Sequence, residues 1–151
     1  MPLADDPFRR IGVYKTVEQV PDHYRLGNYE SMYQERDLWE AYCEAELADA
    51  AETVRDRADL VGRRWTEHMQ DRERHHALAR PDDVEAWFQK LTARLSLKRA
   101  YTPYWVRLDD FYTYLMWHCD FPHVYHPPRM AAGQEGATEE IWEFRLAEAK
   151  Q

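Results

Sequence analysis

With 28 Asp and Glu against 20 Lys and Arg, this chain of 151 residues carries a formal charge of −8, which argues against a general-purpose nucleic-acid binder, because affinity for phosphate comes largely from Lys and Arg. A hydrophobic share of 44% suffices for the core of one domain, while five Gly and eight Pro are too few for a multi-stranded fold rich in tight turns. No stretch approaches the roughly 20 apolar residues that cross a bilayer, the opening MPLADDPFRR lacks the apolar region of a signal peptide, and Cys43 and Cys119 share no C-x-x-C spacing. The expectation is an all-α, soluble, intracellular and cytoplasmic protein.

Residues 1–29 carry Pro2, Pro7, Pro21, Gly12 and Gly27 without a sustained period, which predicts an irregular arm whose aromatics Phe8, Tyr14 and Tyr24 pin it to the body. Over residues 30–59, Trp39, Tyr42, Cys43, Leu47, Ala50, Ala51, Val54 and Ala58 recur at spacings of three and four and predict one amphipathic helix. Its opposite face, with Glu40, Glu44, Asp49, Glu52 and Asp56, is acidic and reads as solvated. Val61, Trp65 and Met69 continue the register from Leu60, Gly62 leaves open whether they form a separate helix, and Gln70 to His76 reads as its end.

Pro81-Asp82-Asp83 signals a helix start, with Asp82 and Glu85 as a pair resembling a capping box, and Val84, Trp87, Phe88, Leu91 and Leu95 as the buried stripe. Tyr101, Trp105, Leu108, Tyr112 and Leu115 predict the next helix, beginning either at Ser96 with Pro103 as a kink or at Thr102 with Pro103 in the first turn. Pro122, Pro127 and Pro128 then predict an extended linker over His118 to Met130, and Ala137 to Gln151 a short terminal helix. The expected architecture is a compact bundle of four to five helices with an irregular N-terminal arm and a short C-terminal helix.

The stretch DDVEAWFQKLTARLSLKRAYTPYWVRLDDFYTYLMWHCDFPHVYHPPRMAA has a helix (Val84–Leu95), a basic hinge (Ser96–Arg99), a second helix of the form R-L-x-x-F-Y-x-Y-L (Arg107–Leu115) and a His/Pro segment (His123–Pro128). With the preceding WTEHMQDRERHHALA, it makes residues 60–132 resemble the core-binding, SAM-like domain of tyrosine recombinases (phage integrases), particularly archaeal integrase-like ones. The resemblance implies half of a clamp around duplex DNA, with a linker leading into a catalytic domain that carries Arg, Lys, His-x-x-Arg and a nucleophilic Tyr. Only 21 residues follow Met130, so that catalytic domain is not expected on this chain, and Tyr112, Tyr114 and Tyr125 lack the Arg/His constellation that phosphoryl transfer needs. No enzyme activity is expected.

What the resemblance leaves is DNA binding, for which Lys90, Arg94, Lys98, Arg99 and Arg107 are the first candidates, extended by Arg63, Arg64, Arg72 and Arg74, with Tyr104 beside them to touch sugars or bases. Residues 80–132 hold seven Lys and Arg against six Asp and Glu, so the acid is concentrated elsewhere. Lys and Arg at helical spacing from Glu are equally consistent with a solvated, paired face. His118, Cys119, His123 and His126 fit no strong zinc pattern, Glu40, Glu44 and Glu46 lack the Glu-x-x-His pairs of a di-iron bundle, and no glycine-rich phosphate loop or G-x-S-x-G occurs. No cofactor or metal is therefore expected. Two functions compete: a non-catalytic binder of double-stranded DNA that contacts phosphates in DNA integration or recombination, or a protein-interaction module that pairs with a full-length recombinase or a second copy of itself. Neither involves a membrane. Exposure of Ile141, Trp142 and Phe144 favours the second, and their burial on the chain's own core favours the first.

Overall fold

The computed structural model describes residue 14, residues 16–117 and residues 123–149, and among these it is all-helical, with no strand. Three short 3-10 turns (Val17–Gln19, Asp22–Tyr24, Leu26–Tyr29) lead into α1 (Glu30–Tyr33), α2 (Leu38–Glu46), α3 (Glu52–Asp71) and α4 (Pro81–Thr92). A short α5 (Leu97–Arg99) passes through a π-helical segment (Ala100–Trp105) into α6 (Val106–Trp117), and α7 (Pro127–Ala132) and α8 (Ala137–Ala149) follow. No described helix is long and apolar enough to cross a membrane.

Residues 16–29 of the arm form three helical turns where Pro and Gly content predicts irregular chain. Val17, Val20 and Leu26 are buried, and the Leu26 N–H donates to the Tyr125 hydroxyl at 2.8 Å, tying the arm to a residue 99 positions away. Tyr14 packs against the core and Tyr24 is exposed, whereas Phe8 lies outside the described residues.

The long helix expected over 30–59 breaks at residues 34–37 and again at 47–51, and α3 runs on without interruption through Leu60 and Gly62. The reason is a helix pair. α2 turns back onto α3, the Trp39 indole N–H donates to the Ala58 carbonyl at 3.0 Å, and its ring lies where a side chain on Gly62 would stand. Glycine in mid-helix costs about 1 kcal/mol relative to alanine, and here it admits the indole. Asp37 caps α2 by accepting from the Glu40 N–H at 2.9 Å.

α4 starts at Pro81 as expected, but Asp83 rather than the Asp82/Glu85 pair closes its first turn, accepting from the Arg80 N–H at 2.8 Å. Ser96 opens α5 by accepting from the Arg99 N–H at 3.3 Å. Thr102 is extended (φ −115°, ψ 114°), so two helices meet there across a kink: Ser96 opens only the short first one, and the long helix starts after Thr102 with Pro103 in its first turn, the second of the two alternatives.

α6 occupies the centre, with Leu108, Phe111, Tyr112 and Leu115 fully buried beside Trp65 of α3 and Phe88 of α4. The Trp65 indole N–H and the Tyr112 hydroxyl both donate to the His76 carbonyl (2.8 and 2.9 Å), and Tyr112 also accepts from the Ala79 N–H at 3.0 Å. Aromatic side chains of this core thus supply the hydrogen bonds that the buried loop between α3 and α4 requires.

The extended linker expected over His118 to Met130 is not what residues 123–130 form; residues 118–122 lie outside the described residues. His123, Tyr125, His126, Pro127 and Pro128 are all buried, and the two prolines occupy the first turn of α7, where neither missing N–H is needed. α8 then packs on α4, α7 and the π segment. Ile141 is fully buried, whereas Trp142, edge-on against Trp105, and Phe144, 5.7 Å from the Tyr101 ring, are half-buried and Leu146 is exposed, so the helix packs on its own chain chiefly through Ile141.

Candidate nucleic-acid interface

The cations expected to meet phosphate separate according to what the fold places beside them. Arg72 and Arg74 both point inward onto the fully buried carboxylate of Asp83, with Nε at 2.5 Å and Nη1 at 2.7 Å from Oδ1. A carboxylate taken out of water needs such partners, so both guanidinium groups are engaged in holding α3 to the start of α4. Arg107 is largely buried, donating to the Tyr42 hydroxyl at 3.2 Å with Asp110 3.9 Å away, and Tyr42 in turn donates to Asp110 at 2.5 Å. Tyr104 is 5% exposed and accepts a hydrogen bond from Arg64, which leaves its ring packed edge-on against Trp87 rather than free to stack on a base. Arg63 opens onto the opposite side, in a groove between α2 and α3 of about 1070 Å³. Asp37, Glu40, Glu44, Asp56, Asp59 and Glu67 also line that groove, which makes it repellent to a polyanion.

Arg64, Lys90, Arg94, Lys98 and Arg99 remain exposed, and none has a carboxylate partner among the described residues. They follow one path. Arg64 and His68 stand four residues apart on α3 and so share a face; Lys90 of α4 reaches His68, with Nζ 3.2 Å from Nδ1. Arg94 is one helical turn beyond Lys90 at the end of α4, and Lys98 and Arg99 form the short α5 immediately after it.

The sequence reading missed His68. Its Nε2 lies 2.8 Å from the Asp83 carbonyl, which only accepts, so Nε2 carries the proton and Nδ1 presents its lone pair to the Lys90 ammonium. Burial holds the imidazole below its ordinary value, the Asp83 carbonyl opposes this, and Lys90 and Arg72 add to it. The available signal was the spacing of His68 from Arg64, but its contact with Lys90 depends on how α4 crosses α3.

His118 and Cys119 lie outside the described residues, and among those described no three His, Cys, Asp or Glu side chains converge as a metal site. His126 is engaged otherwise: Nδ1 accepts from the Arg129 N–H at 3.2 Å and caps α7, while Nε2 lies 3.1 Å from the Asp109 carbonyl. Cys43 is half-buried beside the acidic groove, and burial raises its thiol to about 11, so it is inert at neutral pH. Compared with family models, curated proteins and solved structures, the chain matches none.

Proposed function

We propose that this chain is a non-catalytic protein that binds duplex DNA mainly through its phosphates, in the manner of a solitary recombinase core-binding domain and in the service of DNA integration or recombination. The observation that carries this reading is the set Arg64, Lys90, Arg94, Lys98 and Arg99, exposed and without carboxylate partners among the described residues, whereas Arg72, Arg74, Arg107 and Arg129 are each paired with a carboxylate. The burial of Ile141 on the chain's own core adds to it, since this residue of α8 is then not presented to a partner. Phosphate contacts set register and orientation without reading bases, so sequence preference is weak unless a recombinase or a second copy of this chain contributes base readout.

Fluorescence anisotropy of a duplex over a salt series tests this. Affinity is expected to fall linearly in log salt, with a slope of about 0.9 per phosphate neutralised. Lys98→Glu/Arg99→Glu is expected to abolish binding. Arg63→Ala, on the acidic side, is expected to leave the slope unchanged. Absence of binding at low salt overturns the reading and moves the role to protein interaction.

A further inference from the structure

We propose that His68 is a proton-operated latch for Lys90: the neutral imidazole holds the ammonium against the protein, and the imidazolium releases it to a DNA phosphate. This rests on the DNA-binding reading and adds a regulator to the same face.

The argument is one of donors and acceptors. The Asp83 carbonyl fixes the proton on Nε2, so the contact between Nδ1 and Lys90 Nζ at 3.2 Å exists only while Nδ1 is bare. A second proton on the ring would place an N–H donor and a second positive charge against the ammonium, and the contact would become repulsive. Lys90 is exposed and its stem is flexible, so it swings outward at little cost, whereas His68 is buried against the rings of Trp65 and Trp87 and stays. The charged groups facing the imidazole are Lys90 and Asp83 from α4 and Arg72 from its own helix. Asp83 is already shared by Arg72 and Arg74, which limits how far its carboxylate offsets a third cation nearby. Protonation thus adds one positive charge, on the buried His68, and turns outward the ammonium that Lys90 already carries. Arg64, four residues before His68 on α3, shares its face.

Two measurements test this. The first follows the His68 ring by NMR between pH 8 and pH 4, in the wild type and in Lys90→Met, with circular dichroism marking the pH range over which each stays folded. The expected result is a titration below the usual histidine range in the wild type that moves upward in Lys90→Met. An identical titration in the two proteins overturns the latch. The second repeats the DNA salt series at pH 7.5 and pH 5.5, with circular dichroism confirming the fold at each pH. The wild-type slope is expected to steepen by about 0.9 for each added contact, and the slope of Lys90→Met to steepen less. Equal steepening in both proteins overturns the latch. A shifted His68 titration without DNA binding at any pH overturns the DNA reading while the proton-coupled contact stands.

Discussion

Glu85 shows how a single side chain acquires a role that its position in the sequence does not announce. Its carboxylate accepts from the Ala137 and Thr138 N–H groups at 2.9 and 3.0 Å and from the buried Thr138 hydroxyl at 2.8 Å, closing the start of α8 from 52 residues away. Burial would raise the Glu85 carboxyl, but these donors win and hold it below its usual value. Gly136 makes the approach possible, with φ at 155° and a site where a Cβ would stand 2.6 Å from the carboxylate. Glu85→Ala is expected to cost about 1–2 kcal/mol, as for the loss of a helix cap, read as a lower urea midpoint and faster proteolysis within α8. Asp83→Ala leaves Arg72 and Arg74 without their shared acceptor; a charged hydrogen-bond partner is worth about 1.5–3 kcal/mol, and chemical denaturation measures the loss. The same variant frees two guanidinium groups, so its affinity for DNA is expected to rise even as its stability falls.

Among the elements, the α2–α3 pair decides most about the surface. Gly62→Ala sets two effects of opposite sign against each other. Helix propensity favours alanine by about 1 kcal/mol, but the new methyl overlaps the Trp39 ring, and overpacking costs about 1–3 kcal/mol. The indole is anchored at Ala58 and cannot retreat, so Gly62→Ala is expected to destabilise, with a thermal midpoint below that of the wild type. A midpoint above it would mean that the two helices part easily. The same crossing gathers carboxylates of both helices around one groove, which Lys98 and Arg99 do not line.

At the scale of the whole molecule, several buried histidines act as acceptors, which makes the fold sensitive to acid. His76 Nε2 accepts from the Leu38 and Trp39 N–H groups at the start of α2, and His126 Nδ1 caps α7. Burial pushes each down to about 4 from an ordinary 6.5; the neighbouring His75 deepens this at His76, and Asp109 opposes it at His126. Because the folded pKa lies below the unfolded one, the unfolded chain binds the protons first. Stability is therefore full above pH 6.5 and is lost as pH falls from 6.5 toward 4. With two such groups the loss approaches about 2.7 kcal/mol per pH unit, measurable as a falling urea midpoint. His126→Asn retains a capping acceptor without titrating and is expected to flatten the profile.

What the sequence by itself determined is the all-helical class, the starts of α4 and α8, and the apolar stripes of α4 and α6; it left two starts open for the helix at Pro103, and the extended Thr102 decided between them. These follow from local causes, namely the 3.6-residue period, proline geometry and cap chemistry, all legible within a few residues. Only the tertiary structure decided that the helix expected at 30–59 breaks at 34–37 and 47–51, that the His/Pro segment is core rather than linker, and which cations are free. Arg72 and Lys98 look alike in sequence; a buried Asp83 engages the first, and no described carboxylate engages the second. Their difference arises from desolvation and pairing across elements far apart in the chain, and residue spacing does not encode it.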